Sequence, residues 1–208
     1  GCGDDAERFA FFSRSVLESL KYMEGFNPRI IHCHDWHTAL IPLMLREYYG
    51  HDPFYFHIRS ILTIHNLRHQ GIFPQHILED ILGINPKSPG AQALKFNDTI
   101  NYFKAGITYA NAITTVSPSY SLEIQDPYFG EGLDGVLRDR RKDIWGILNG
   151  IDYNIYNPLK DPHISINYRS ALNKKADNKV QLQGEFGLPK DRDIPLIGIV
   201  TRLDAQKG

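Results

Sequence analysis

The 208-residue chain has only two cysteines, Cys2 and Cys33, too few for a disulfide framework and consistent with a reducing cytosol. It has no basic tract. Its 23 Lys and Arg are offset by 24 Asp and Glu, leaving a net charge of −1. That excludes a nucleic-acid surface, whose affinity rests on clustered cations. No apolar run approaches the roughly 20 residues needed to cross a bilayer, and no basic-then-apolar leader opens the chain, so no membrane partner is expected. Repeats and low-complexity stretches are absent as well. The first residue is Gly rather than Met, and the chain is expected to be an internal piece truncated at both ends.

What is present is an alternation of periods. Phe9, Phe12, Val16, Leu20 and Met23 recur at three and four and predict a helix over 6–23, ended by Asn27-Pro28. Short apolar runs predict strands at 29–33, 60–64, 112–116 and 144–148. Helices are expected after the first of these, through Leu45 to Tyr49, and over 101–110. Ser117-Pro118 reads as a helix start, Ser as N-cap and Pro at the first position. Strands alternating with helices imply an α/β fold, a doubly wound, mostly parallel sheet with helices on both faces. Ligands of such folds collect at the carboxyl ends of the strands. There this sequence puts His34-Asp35-Trp36-His37, His65-Asn66, Ser117-Pro118 and Asn149-Gly150. The stretch 152–163, rich in Asn, Asp, Pro and Tyr, reads as a linker, and a helix follows over 174–186. Pro195 to Val200 reads as a buried strand. Domains are expected at 1–155 and 156–208, the second only begun.

The densest polar cluster, His32-Cys33-His34-Asp35-Trp36-His37, admits several readings. Imidazoles and a carboxylate could ligate a metal, as in a metal-dependent hydrolase using His32, His34, Asp35 and His37, but no downstream residues complete a four-ligand set. Asp35 could instead cap a helix, with Trp36 as a core anchor. A polar pocket for a sugar or nucleotide is the third reading.

Longer segments narrow the choice. "IIHCHDWHTALIP", "LTIHNLRHQGIF", "YFKAGITYANAITTVSPSYSLEI", "FGEGLDGVL", "ILNGIDYNIYNP" and "TRLDAQKG" resemble, in order, segments of the bacterial glycogen synthase and plant starch synthase family. The opening "GDDAERFAFFSRSVLE" fits as well. The resemblance implies a GT-B glycosyltransferase of two Rossmann-like domains facing across a cleft. Such an enzyme transfers glucose from ADP-glucose to the 4-OH end of an α-1,4-glucan, glycogen or starch, with retention and without a metal or other cofactor. It also implies an N-terminal acceptor-side domain followed by the start of a nucleotide-sugar-binding domain, in the bacterial cytosol or a plastid.

Site residues follow from the matched motifs. His65 corresponds to the family's active-site histidine at the donor glucose, although a histidine at a strand end can be a satisfied core residue. Asp35 matches a pocket aspartate, with the N-cap role an alternative. Asn66 and Asn149 match polar residues near the sugar and cleft, Asn149-Gly150 being also ordinary turn chemistry. Arg202 and Lys207 follow the last apolar run. With no metal ligands apparent, fixed cations would have to stabilise charge on a departing diphosphate; the bland alternative is two solvated charges. The family's Lys-x-Gly-Gly loop and its second-domain glutamates lie outside these residues, so a catalytically inactive carbohydrate-binding or scaffolding fragment is the rival expectation.

Overall fold

A computed structural model of the chain describes residues 3–203. The chain divides into two compact units, 1–149 and 150–208.

The first unit opens with helix α1 (Asp5–Ser19), continued by a 3-10 turn to Tyr22. Strand β1 (Ile30–His34) leads through a 3-10 turn at Trp36–Thr38 into α2 (Leu40–Glu47). After β2 (Arg59–Ile64) comes a stretch of small elements: β3 (Ile72–Pro74), α3 (Ile77–Asp80), α4 (Pro89–Leu94), β4 (Lys95–Phe96) and β5 (Thr99–Asn101). Then follow α5 (Tyr102–Tyr109), β6 (Ala112–Thr115), α6 (Pro118–Glu123), α7 (Asp134–Asp139) and β7 (Ile144–Gly146).

Three parallel pairings join four strands into a sheet in the order β1-β2-β6-β7, so the expected α/β class with a mostly parallel sheet is what the structure has. The sheet advances one strand at a time in one direction. Right-handed crossovers in one direction carry their helices to a single face, and burial agrees. Cys33, Leu62, Ile64 and Ile113 are buried together with Leu17, Leu40, Leu43 and Phe103. On the opposite face Ile30, Trp145 and Ile147 are half or more exposed. A small antiparallel sheet, β3-β5-β4, was not anticipated; strands of two or three residues carry too little alternation to be read.

Local chemistry explains the starts of the elements. Ser117 accepts from the Tyr120 N–H at 3.2 Å with Pro118 at the first helical position, as expected. Asn101, wholly buried, caps α5 through the Lys104 N–H at 2.9 Å. The α5 C-terminus is closed by Arg140, whose guanidinium donates to the carbonyls of Ile107, Thr108 and Ala110 at 2.6–2.7 Å.

The second unit holds α8 (Leu172–Glu185). Asn178 pins the preceding segment to this helix, exchanging hydrogen bonds with the backbone N–H and carbonyl of Ile166 at 3.0 and 2.8 Å. A groove of about 570 Å³ lies along α8, lined by residues such as Tyr168, Lys175, Leu182 and Leu196. The strand expected at Pro195–Val200 does not form. The run pairs with no strand among the described residues, and Ile197, Ile199 and Val200 are exposed by 78% or more. β-branched composition favours an extended chain, but a strand needs a neighbour for its backbone donors and acceptors.

Candidate functional site

The site is built on the carboxyl ends of β1 and β2. These strands pair in register, His34 opposite Thr63, so the residues leaving them are side by side. Asp35 leaves β1 at φ 55° and ψ −172°, a region that costs a residue with a side chain about 1–3 kcal/mol. The strained backbone is fixed at both ends of the residue. Its N–H donates to the Thr63 carbonyl at 2.9 Å, and its Oδ1 accepts from the backbone N–H of His65 at 2.8 Å and of Asn66 at 3.4 Å. Asp35 makes no side-chain cap to the turn that follows it. The capping alternative thus gives way to a clamp across two strands, in which a carboxylate holds the turn at His65-Asn66.

The turn is tied from other sides too. Asn66 Oδ1 accepts from the Arg68 N–H at 3.1 Å, and the Tyr120 hydroxyl of α6 accepts from the Leu67 N–H at 3.0 Å. Burial chiefly raises the Tyr120 pKa, keeping the phenol protonated. His65 is exposed, and its Nε2 lies 3.0 Å from His34 Nδ1. His34 is itself fixed. Thr38 Oγ1 accepts from its N–H at 2.6 Å and donates to its carbonyl at 2.9 Å, and its ring lies 4.2 Å from that of His32. Partial burial, then the neighbouring charges of His32 and His65, lower the His34 pKa from the ordinary value. On the same sheet face His32 Nε2, Thr63 Oγ1 and Thr114 Oγ1 form a chain with links of 2.7 and 2.6 Å.

Beside the clamp is a cavity of about 390 Å³ lined by Asp5, Asp35, Trp36, His37, Asn66 and His69. Trp36 forms its aromatic wall. Its ring is packed edge-on by Phe9 at 4.8 Å and Phe73 at 5.8 Å, with His37 stacked on it at 4.2 Å. Gly71 must be glycine here, since its φ is +64° and a Cβ would reach within 2.9 Å of the Trp36 ring.

The structure thus brings Asp35, His65 and Asn66 together. Asn149 ends the first unit, beyond β7, two strands from β2 and about 10 Å across the sheet at ordinary strand spacing. Arg202 is exposed in the second unit, in a stretch without helix or strand, and Lys207 lies outside the described residues. The four residues of the metal reading are divided between separate tasks: His32 to Thr63, His34 to His65, Asp35 to the turn, His37 to Trp36. No group of three or more candidate ligands is arranged for a metal among the described residues. Sequence reasoning missed Gln70. It is buried, accepts from Asn101 Nδ2 at 2.6 Å and donates to the Glu131 carbonyl at 2.9 Å, joining two of the quoted segments and the residue just before a third. Its signal was its place two residues before β3, next to Gly71.

A parallel sheet with its polar residues gathered on the carboxyl rim, beside an aromatic-walled cavity, defines a Rossmann-like ligand-binding α/β domain. Comparison makes this specific: residues 1–139 match the family described as "Starch synthase catalytic domain", and the chain belongs to that family. It is 49% identical to the glycogen synthase of Clostridium acetobutylicum over 209 residues, covering all of this chain and 44% of that protein. With the glycogen synthase of Bacillus licheniformis the identity is 51%, covering 99% of this chain and 42% of the relative. The catalytic domain of starch synthase IV from Arabidopsis thaliana, solved with ADP and acarbose bound, superimposes with a TM-score of 0.75 at 35% identity; the match covers 91% of this chain and 39% of that one. The chain therefore spans under half the length of these relatives. Among the described residues, no helix is long and apolar enough to cross a membrane.

Proposed function

We propose that the chain forms one wall of the cleft of a glucan synthase that transfers glucose from ADP-glucose to the non-reducing 4-OH end of an α-1,4-glucan with retention. The observation that carries this reading is the Asp35 clamp, which holds His65 and Asn66 at the carboxyl rim of a family member's sheet. Two relatives carry the name glycogen synthase, and the starch synthase neighbour was solved with a nucleotide and an oligosaccharide, which supports both a nucleotide-sugar donor and a glucan acceptor. Residues 1–155 are the acceptor-side part, and 156–208 begin the nucleotide-sugar part.

In the reaction, the bond from glucose C1 to the diphosphate breaks and the glucan O4 bonds to C1. ADP departs with the electron pair of that bond, and its leaving oxygen takes up the proton that the O4 hydroxyl gives up. His65 contributes at the donor sugar, and Asp35, Asn66 and Asn149 shape its surroundings. Arg202 and Lys207 supply fixed positive charge to the departing diphosphate. No resident metal or other cofactor is required by this scheme. A cytosolic setting suits the buried, unpaired Cys33. The rival reading, a carbohydrate-binding segment without catalytic power, predicts the same sugar contacts without turnover.

The test grafts this segment into the Clostridium acetobutylicum glycogen synthase in place of its aligned residues. Transfer of labelled glucose from ADP-glucose to glycogen should persist, and Arg202→Ala in the chimera should reduce turnover by about a hundredfold while the fold is retained. Full turnover with Arg202→Ala would refute the diphosphate assignment. A folded chimera that binds glycogen but never transfers would favour the binding-only reading.

A further inference from the structure

We infer that His34 is a positioning residue that fixes the ring of His65 in one tautomer and one orientation through the contact of its Nδ1 with His65 Nε2. The inference deepens the proposed function and rests on it for its catalytic meaning; the contact itself does not.

Consecutive residues of β1's end hold the two parts of one residue. Asp35 fixes the backbone of His65, and His34 meets its ring at 3.0 Å. Both rings are exposed, so water competes and the bond's intrinsic strength is modest. What favours it is preorganisation. His34 is held by Thr38 at its N–H and its carbonyl and by His32 against its ring, and His65 is held by the clamp. With both backbones fixed, what is lost when the rings meet is the freedom of the side-chain torsions alone.

The atoms involved set the proton's place. Two uncharged imidazoles can share this contact in two ways. If His34 Nδ1 donates, both rings must carry their proton on Nδ1, beside the side-chain attachment. If His65 Nε2 donates, both rings are Nε2–H tautomers, the form an uncharged histidine ring favours. The second arrangement strains neither ring. It leaves His65 with a protonated Nε2 committed to His34 and an unprotonated Nδ1 available on its other side. The titratable groups facing His34 are His32 from β1, Asp35 at its end and His65 from β2. With both rings protonated, donor faces donor and the contact is lost.

The experiment is long-range proton–nitrogen NMR of the histidine rings in the 208-residue chain at pH 8, with His65 assigned by loss of its signals in His65→Gln. The expected result is a single Nε2–H form for His65. His34→Phe keeps a ring against His32 but offers no acceptor, and should give mixed His65 tautomers. His34→Gln, which restores an acceptor oxygen, should bring back most of the Nε2–H form. A mixed or Nδ1–H His65 in the wild-type chain overturns the inference without reference to any variant, and so does an unchanged His65 in His34→Phe. In the chimera, His34→Phe should lower kcat by roughly tenfold to a hundredfold at nearly constant KM, with partial rescue by His34→Gln. If the tautomer shifts but kcat does not, the assignment of His65 to the reacting centre fails while its positioning by His34 stands.

Discussion

Gly71 and Gly83 allow one contact to be measured by difference. Both have φ of +64°, but a Cβ on Gly83 would meet nothing within 4 Å, whereas on Gly71 it would run into the Trp36 ring, with Cδ2 at 2.9 Å and Cζ3 at 3.0 Å. Gly83→Ala therefore carries only the left-handed backbone cost, about 1–2 kcal/mol. Gly71→Ala carries that plus overpacking, a further 1–3 kcal/mol or so. The ring has no easy retreat, since Phe9, Phe73 and His37 pack around it. Urea unfolding followed by tryptophan fluorescence suits the comparison, because Trp36 and Trp145 both lie in the first unit. The difference between the variants should be about 1–3 kcal/mol, with a changed folded-state emission for Gly71→Ala alone. Equal midpoints and equal spectra would refute the claim that Trp36 is seated against Gly71.

Three further outcomes are expected. Asp35→Gly should be less destabilising than Asp35→Ala by about 1–3 kcal/mol in the same assay, because both lose the clamp but only glycine is relieved of the backbone strain; equal losses would show that the strain is not there. Cys33, wholly buried and with its thiol pKa raised to about 12 chiefly by burial, should resist alkylation at pH 8 in the folded chain and react when urea unfolds it; rapid labelling of Cys33 without urea, told from Cys2 by peptide mapping, would contradict that packing. The folded state lowers the His34 pKa, so the unfolded chain takes up its proton first as pH falls. The stabilisation this represents is present above the ordinary value of 6.5 and is lost as pH drops through the lower folded value. Chemical-denaturation profiles from pH 7.5 to 5 should fall less steeply for His34→Phe than for the wild-type chain, and parallel profiles would remove His34 as a contributor.

The sequence made the long elements legible because their apolar spacing is unambiguous: α1, β2 and β6 begin and end within a few residues of where the spacing predicts. Ser117-Pro118 announced its helix because the capping chemistry is local. The run at 195–200 misled, since composition speaks for an extended chain and only a neighbouring strand makes it a ladder. At the site, His65 and Asn66 were legible from their motif and Asp35 from its place at a strand end. The kind of work Asp35 does was not legible, because a carboxylate that caps its own helix and one that clamps a turn 30 residues away look identical along the chain. His34 was visible only as one of several imidazoles, and its partner became apparent when register set β1 beside β2. Gln70 and Asn101 were hidden for the same reason, as buried polar pairs join distant segments.

The site's closing bonds have short reach in sequence. Asp35 to His65, Asp35 to Asn66 and His34 to His65 each span 30 or 31 residues, much the same separation that brings β1 beside β2. A chain leaving the ribosome amino end first would thus offer the Asp35 carboxylate well before its partners exist, and the turn at His65 would dock as soon as β2 had zipped onto β1. The rim is written into the polypeptide in the order of its assembly. A residue of strained backbone comes first, and the strain is met by the next strand to emerge.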